Sequence, residues 1–365
     1  VGGLGVKILL VSPGAAYSTA DVEAGLRAGL EAHGVEIVRY RLTERISRSR
    51  DALGRAWKAA HKTHPEIPKP TVADVMYDAA VGIITMALRQ AVDVVVVITA
   101  MFLHPDILVM LRRAGLRVVV LFTETPYDLE HELDVARVVT GCWTMERSAV
   151  EAFRAVNPRS GFLPAAWHPA THTPGAHPGD DQVRAHDVVF VGSGWPARMK
   201  WFESVDWTGI DLGLYGQWPR LGPRHPLRRY LVADRELAPI DNATTAALYR
   251  RANIGLNLYR DTGKPAESLN PRAYELAACG VFHVSTDRAE VRERFGDLVP
   301  IVNGDGAHVT ALLRSWLADP AGRARLAAAL PATVADSTWT ERARTMIGDL
   351  QGLLAADRRQ PVTKG

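Results

Sequence analysis

Apolar and polar positions fall into two kinds of block along this chain. Val6–Val11, Val94–Thr99 and Val118–Phe122 are apolar almost throughout. A strand covered on both faces, as in a parallel sheet, reads as such a run and not as an alternation. Between these runs the spacing is helical. Ser18-Thr-Ala-Asp21 offers side-chain oxygens to cap a helix running to about His33, and Gly34 closes it before a strand at Val35–Arg39. The basic stretch that follows and Val72–Gln90 read as helices, and Arg137–Gly141 and Gly161–Leu163 as weaker strands. Such alternation predicts a parallel sheet with helices on both sides.

Residues 164–187 break the pattern with Pro164, Pro169, Pro174, Pro178, Gly175 and Gly179. They predict a linker. Histidines 168, 172, 177 and 186 cluster there, but no cysteine or carboxylate joins them at helical spacing, so no metal site is predicted. The strand–helix pattern then restarts. Strands are expected at Val188–Val191, Ile210–Leu214, Ile254–Leu258 and Val281–Ser285, and helices at 197–204, 244–252, 271–279, 287–294 and 306–318. The resulting division is an N-terminal domain 1–168, a linker 169–186, a C-terminal domain 187–339, and a last helix within 340–365 that packs back on the first domain. Two doubly wound domains in tandem place a ligand between them, facing the carboxyl ends of both sheets.

Composition fits this division. A length of 365 residues suits two α/β domains, and 47% hydrophobic with 23% charged residues is a globular profile. No apolar run reaches the roughly 18 residues of a membrane span. No signal peptide is read before the first strand, and a cytoplasmic protein is expected. Cys142 and Cys279 sit in apolar surroundings and are expected as buried thiols. Charge is uneven: residues 39–69 hold nine Lys/Arg against Glu44, Asp51 and Glu66. That stretch is either a solvated helix face or an attractor of a polyanion.

The chemistry concentrates in the second half. Asn270-Pro271 forms a helix start, with Asn as cap and Pro in the first turn. A helix N-terminus presents free N–H groups and suits a diphosphate. Arg272 in that first turn is unfavourable for the helix itself, which an anionic partner would explain. Glu275, one turn on, can accept hydrogen bonds from a ribose diol, and Ala277-Ala-Cys-Gly280 supplies small residues for close packing. Gly192-Ser-Gly194 follows a strand, with Arg198 and Lys200 close behind. A glycine turn admits a phosphate to the backbone, and the cations neutralise it without a metal. The turn is not G-x-G-x-x-G and no acid is placed for a nicotinamide ribose, which argues against hydride transfer. Asn257 and Arg260, at the end of another strand, face the same place.

Glu267 and Glu275 are spaced as E-x7-E. Together with Leu248-Tyr-Arg-Arg-Ala-Asn-Ile-Gly-Leu-Asn-Leu-Tyr-Arg260 and Ser268-Leu-Asn-Pro-Arg-Ala-Tyr-Glu-Leu-Ala-Ala-Cys-Gly280, this resembles the CgeB-like glycosyltransferases of the GT-B superfamily. The likeness reaches weakly into Leu121-Phe-Thr-Glu-Thr-Pro-Tyr-Asp128, where the family often has an aspartate before the proline and this chain has Thr125 beside Glu124. The resemblance implies a GT-B fold of two Rossmann-like domains facing each other across a cleft. It implies a nucleoside diphosphate sugar, UDP-glucose or similar, as co-substrate, with no further cofactor. It maps the ribose contact onto Glu275 and donor sugar or phosphate contacts onto Glu267, Ser268, Leu269 and Asn270. By the same analogy the loop from Tyr215 to Trp218 stacks on the base, unless it is simply a packed aromatic turn. The E-x7-E spacing resembles retaining transferases.

On the acceptor side, Gly14, Ser18 and Asp21 follow the first strand, His104 follows the strand ending near Thr99, and Glu124 and Asp128 follow the next. One of these acts as general base or orients the acceptor hydroxyl, or each is a helix cap. The basic segment 39–69 makes a hydroxymethylated base in DNA, of the kind phages modify, one candidate acceptor; such a base would have to be flipped out of a duplex. A small molecule, glycan or protein is the alternative. A nucleotide-sugar epimerase and a non-catalytic binding protein are the rival functions.

Overall fold

The computed structural model describes residues 6–14, 18–219, 221–232, 240–260 and 263–358. The chain divides into two compact units, Val1–Pro164 with Thr340–Gly365, and Ala165–Trp339. The first contains β1 (Lys7–Val11), α1 (Ser18–Ala32), β2 (Glu36–Tyr40), α2 (Leu42–Ala60), α3 (Val72–Ala80), α4 (Gly82–Arg89), β3 (Val94–Ile98), α5 (Pro105–Arg113), β4 (Val118–Phe122), α6 (Leu129–Val138), β5 (Gly141–Thr144), α7 (Val150–Val156) and β6 (Ser160–Phe162). The second contains β7 (His186–Val191), α8 (Pro196–Ser204), β8 (Leu212–Tyr215), α9 (Asn242–Arg250), β9 (Ala252–Asn257), α10 (Pro271–Ala278), β10 (His283–Ser285), α11 (Ala289–Phe295), α12 (Gly306–Leu317) and α13 (Pro320–Thr333). Helix α14 (Trp339–Arg358) then returns to the first unit.

Six parallel strands in the order β2-β1-β3-β4-β5-β6 form the first sheet. The runs VVVVI of β3 and VVVLF of β4 are buried along their whole length, which is why they carry no polar alternation. The expected strand at Arg137–Gly141 is corrected: Arg137 and Val138 end α6, and β5 begins at Gly141. The reason is a side chain far along the chain. Asn157 Nδ2 donates to the carbonyls of Ala136 (2.9 Å) and Val139 (3.2 Å), satisfying the end of α6 where local propensity favours a strand. Helix α14 is tied to its own unit by Trp143 Nε1, which donates to Asp349 Oδ2 at 2.8 Å, and by His33 Nε2 against the Thr340 carbonyl at 3.1 Å.

Four parallel strands in the order β10-β9-β7-β8 form the second sheet. Its main core gathers aromatic rings, with Phe190, Phe202, Trp207 and Trp218 in edge or tilted contacts. Residues 169–186, expected to link the domains, lie within this unit. Asp180 and Arg250 form a two-bond ion pair (2.7 and 2.8 Å) with side chains 9% and 8% exposed, and His172 is fully buried. Cys142 and Cys279 are buried free thiols. No described helix is long and apolar enough to cross a membrane.

Candidate functional site

In the second sheet β7 pairs with β8 on one side and β9 on the other. The chain after β7 and the chain after β9 therefore leave in different directions and open a crevice beyond the carboxyl ends of these strands, where open α/β sheets bind ligands. Gly192–Gly194 follows β7, and Leu258–Arg260 follow β9.

The glycines are required by their neighbours. A Cβ on Gly192 would lie 2.5 Å from Arg272 Nη2 and 3.0 Å from Phe190 Cζ, and one on Gly194 would lie 2.2 Å from Trp218 Cε3. A Cβ on Gly216, at φ +103°, would lie 2.6 Å from the Gly192 carbonyl oxygen. The turn thus lets a guanidinium occupy the place of a side chain. Arg272 Nε donates to the Val191 carbonyl at 2.7 Å, its guanidinium stacks 4.8 Å from the Phe190 ring centroid, and its Nη1 is buried with no hydrogen-bond partner among the described residues. Arg198, in the first turn of α8, donates to the carbonyls of Ser193 (3.1 Å) and Leu258 (2.7 Å) and lies 5.4 Å from the same ring centroid. A buried donor without a partner costs about 1–3 kcal/mol, and an arriving anion removes that cost. Two cations are thus joined to one turn through backbone carbonyls.

Arg272 is carried by α10, whose start was legible in the sequence. Asn270 Oδ1 accepts from Ala273 N–H at 3.0 Å, Pro271 opens the helix, and Gly280 (φ +64°) follows its end. The preceding segment is held from α11. Glu290 accepts from Leu269 N–H at 2.7 Å and from Tyr274 O–H at 3.1 Å, its own N–H donates to the Glu267 carbonyl at 3.0 Å, and Arg288 donates to the Ala266 carbonyl at 2.7 Å. Ser268 and Leu269 are buried, while Glu267, Asn270 and Glu275 are half-buried. Glu290 and Arg288 were not singled out from the sequence. Their signal is tertiary, because both lie in a separate helical segment. Asn257 is fully buried at the end of β9, donates Nδ2 to Ser285 Oγ at 3.0 Å, and leaves Oδ1 without a partner among the described residues.

Two expected contacts are corrected. Trp218 is 1% exposed, wedged against Gly194 and Phe190, with Nε1 donating to the Tyr215 carbonyl. Tyr215 is buried too, its hydroxyl 2.8 Å from His186 Nε2. The loop is a packed corner that braces the glycine turn, since Gly192 N–H donates to the Tyr215 carbonyl at 2.9 Å, and neither ring presents a face to a base. The exposed aromatic is Trp195, the N-cap residue of α8, with the Arg260 guanidinium 4.6 Å from its ring centroid. Its place between Gly194 and Pro196 was the overlooked signal. Lys200 is exposed on α8.

In the first unit the corresponding crevice lies beyond β1 and β3. Thr99, buried there, takes a left-handed backbone at φ 44°, a strain that collects at functional sites. Residues 15–17 of the expected loop lie outside the described residues. Asp21 stands in the first turn of α1. His104 caps α5, its Nδ1 accepting from Asp106 N–H at 3.3 Å with the ring edge-on to Tyr77. Glu124 and Asp128 share one turn after β4, with Asp128 N–H donating to the Glu124 carbonyl at 3.2 Å. Glu132, which the sequence did not mark, is buried behind them.

Among the described residues no group of three or more His, Cys, Asp or Glu could hold a metal ion.

The two parallel-sheet units have the GT-B fold. Over 96% of this chain and 100% of theirs, the coordinates of sucrose-phosphate synthase from Thermosynechococcus elongatus superpose with a TM-score of 0.67 at 14% identity. HepE of Anabaena, in complex with UDP-glucose, gives 0.61 at 12% identity over 95% of this chain and 99% of that one. A UDP-N-acetylglucosamine 2-epimerase gives 0.56 at 12% identity over 99% of both chains. Residues 181–348, which include the Gly192–Gly194 turn and α10, match a family described as glycosyl transferase-like. No curated protein matches the chain by sequence.

Proposed function

We propose that this protein transfers a glycosyl group from a nucleoside diphosphate sugar, UDP-linked, to a hydroxyl acceptor. The observation that carries the reading is the convergence of Arg272 and Arg198 on the Gly192–Gly194 turn at the switch point of the second sheet. Breaking a glycosidic bond to a diphosphate builds negative charge on the leaving oxygen. Fixed cations and the positive N-terminal end of α10 stabilise that charge more than they stabilise the ground state. Lys200 on α8 adds a third cation. Glu275 would take the ribose diol, and the Glu267–Asn270 segment, clamped by Glu290, would take the donor sugar. Trp195 with Arg260 offers a flat surface to the base. Support for uridine comes from the fold likeness to HepE with UDP-glucose, and support for glycosyl transfer from the family match across residues 181–348. The E-x7-E spacing favours retention at the anomeric carbon, and the acceptor hydroxyl would meet Asp21, His104, Glu124 or Asp128.

One feature favours a polyanionic acceptor, such as modified DNA. Arg41, Arg48, Arg55 and Lys62 recur every seven residues along and beside α2, and all four are exposed. On an α-helix this spacing keeps Arg48 and Arg55 on one stripe, with Arg41 at the N-cap and Lys62 just past the end. The epimerase likeness supports a second reading, in which UDP-sugar turns over without an acceptor. A coupled assay of UDP release from UDP-glucose separates the cases. Acceptor-dependent release supports transfer, sugar isomerisation without release supports the epimerase, and no turnover of any nucleoside diphosphate sugar contradicts both.

A further inference from the structure

The acceptor-side turn rests on a buried carboxylate that the proposed reaction does not itself use. Glu132 lies in the first turn of α6 and is 3% exposed. Its Oε1 accepts from Glu124 N–H at 3.1 Å, and its Oε2 accepts from Thr125 O–H at 2.5 Å. Thr125 Oγ1 in turn accepts from Thr144 O–H at 3.0 Å, and Thr144 Oγ1 accepts from Glu146 N–H at 3.1 Å. The Glu146 amide leaves the Thr144 proton for Thr125, and Thr125 in turn directs its own proton to the carboxylate. Each hydroxyl spends its one proton on the next oxygen, and the last acceptor is Glu132.

This polarity suits an ionised carboxylate. A proton on Glu132 Oε2 would take Thr125 Oγ1 as its acceptor, turn the Thr125 proton toward Thr144 and displace the Thr144 proton from Thr125. Protonation therefore replaces the charge-assisted bonds from Thr125 and the Glu124 amide by weaker neutral ones. Burial works in the opposite sense, since it disfavours the charged form. The titratable groups facing Glu132 add to that: Glu124 and Asp128 from the turn, both carboxylates, and Cys142 from β5, whose thiol burial pushes up to about 11. Burial raises the Glu132 carboxyl to about 7, against the hydrogen bonds from Thr125 and Glu124.

We propose that Glu132 is a positioning residue that holds the Glu124–Asp128 turn in its working geometry when ionised and loosens it when protonated. The inference rests on the reading that this turn serves the acceptor hydroxyl. Through it, glycosyl transfer acquires a pH dependence set by a group that touches no substrate.

The test uses the full chain. Wild-type kcat should rise through a single ionisation near neutral pH, with the donor KM little changed. Glu132→Gln places an amide where the protonated acid would be, so kcat should stay at the low-pH level, roughly 10–100-fold below wild type at pH 8, and lose its pH dependence. Two readouts do not need turnover. The carboxyl carbon NMR signal assigned to Glu132 should titrate near 7, and hydrogen-exchange protection of the 124–128 amides should be higher at pH 8 than at pH 6. Thr125→Val, which keeps the carboxylate and removes its hydroxyl donor, should move the titration upward and provides the test if the glutamine variant fails to fold. A Glu132 signal that titrates near 4.5, or is unmoved by Thr125→Val, overturns the proposal. If the signal and protection behave as expected while no donor is turned over, the switch stands and the functional reading falls.

Discussion

At the scale of single residues, the second unit's site depends on what fills the space above Gly192. A guanidinium sits there because no Cβ does. Arg272→Ala should therefore weaken UDP binding and lower kcat/KM by about 10²–10³-fold, as when one charge-stabilising donor is lost, with little effect on folding. Gly192→Ala should produce much of the same loss by pushing Arg272 aside. It should also cost about 1–3 kcal/mol of stability, the usual price of overpacking, because the new methyl meets Phe190 as well. Donor titrations and urea unfolding of the two variants check both statements. The sequence shows Asn270, Pro271 and Arg272 as a cap, a helix start and a misplaced cation, since all three are local features. It hides that Arg272 reaches back to Val191, and that Trp218 lies under Gly194, because those contacts join segments far apart along the chain.

At the scale of elements, most strands and helices are legible because covered strands and capped helices have local signatures. Helix α13 was not expected. Gly322 and the interior Pro331 both disfavour a helix, yet Asp319 Oδ1 caps it by accepting from Gly322 N–H at 2.8 Å. The segment 169–186 read as a linker for the same reason, and the Asp180–Arg250 pair that binds it to α9 has no local trace. Arg250 holds the Asp180 carboxyl below its ordinary range, so the pair is intact at neutral pH. Arg250→Ala leaves a largely buried carboxylate alone and should destabilise the protein by about 3 kcal/mol, measured as a lower urea midpoint. Helix α2 makes a prediction of another kind. If its stripe meets nucleic acid, replacing Arg48, Arg55 and Lys62 with Ala should reduce the slope of log affinity against log salt by about 3. An unchanged slope removes the polyanion reading.

At the scale of the molecule, buried titratable groups predict opposite responses of the two units to acid. His172 and His283 of the second unit are fully buried, and burial pushes them down to about 3 and about 4 from 6.5. Below pH 6.5 the unfolded chain binds protons that the folded unit refuses, so their contribution is lost as pH falls toward 4. Glu132 of the first unit lies high instead, at about 7 against 4.5. The folded form holds that proton where the unfolded one does not, so its contribution grows as pH falls from 7 to 4.5. Calorimetry at pH 7.5 and 5.5 should show the second unit losing melting temperature first, and His172→Asn with His283→Asn should shrink that loss. The strand order places the second unit's crevice at a switch point that no single motif defines. It follows only once β7 is known to lie between β8 and β9.

The central claim is that Arg272 and the Gly192–Gly194 turn form a diphosphate site. Isothermal titration of UDP into the wild-type chain and into Arg272→Ala tests it most directly. The account predicts saturable one-to-one binding to the wild type that weakens at least tenfold in the variant. Wild-type protein that binds no nucleoside diphosphate, or a variant that binds UDP as tightly as wild type, would contradict it.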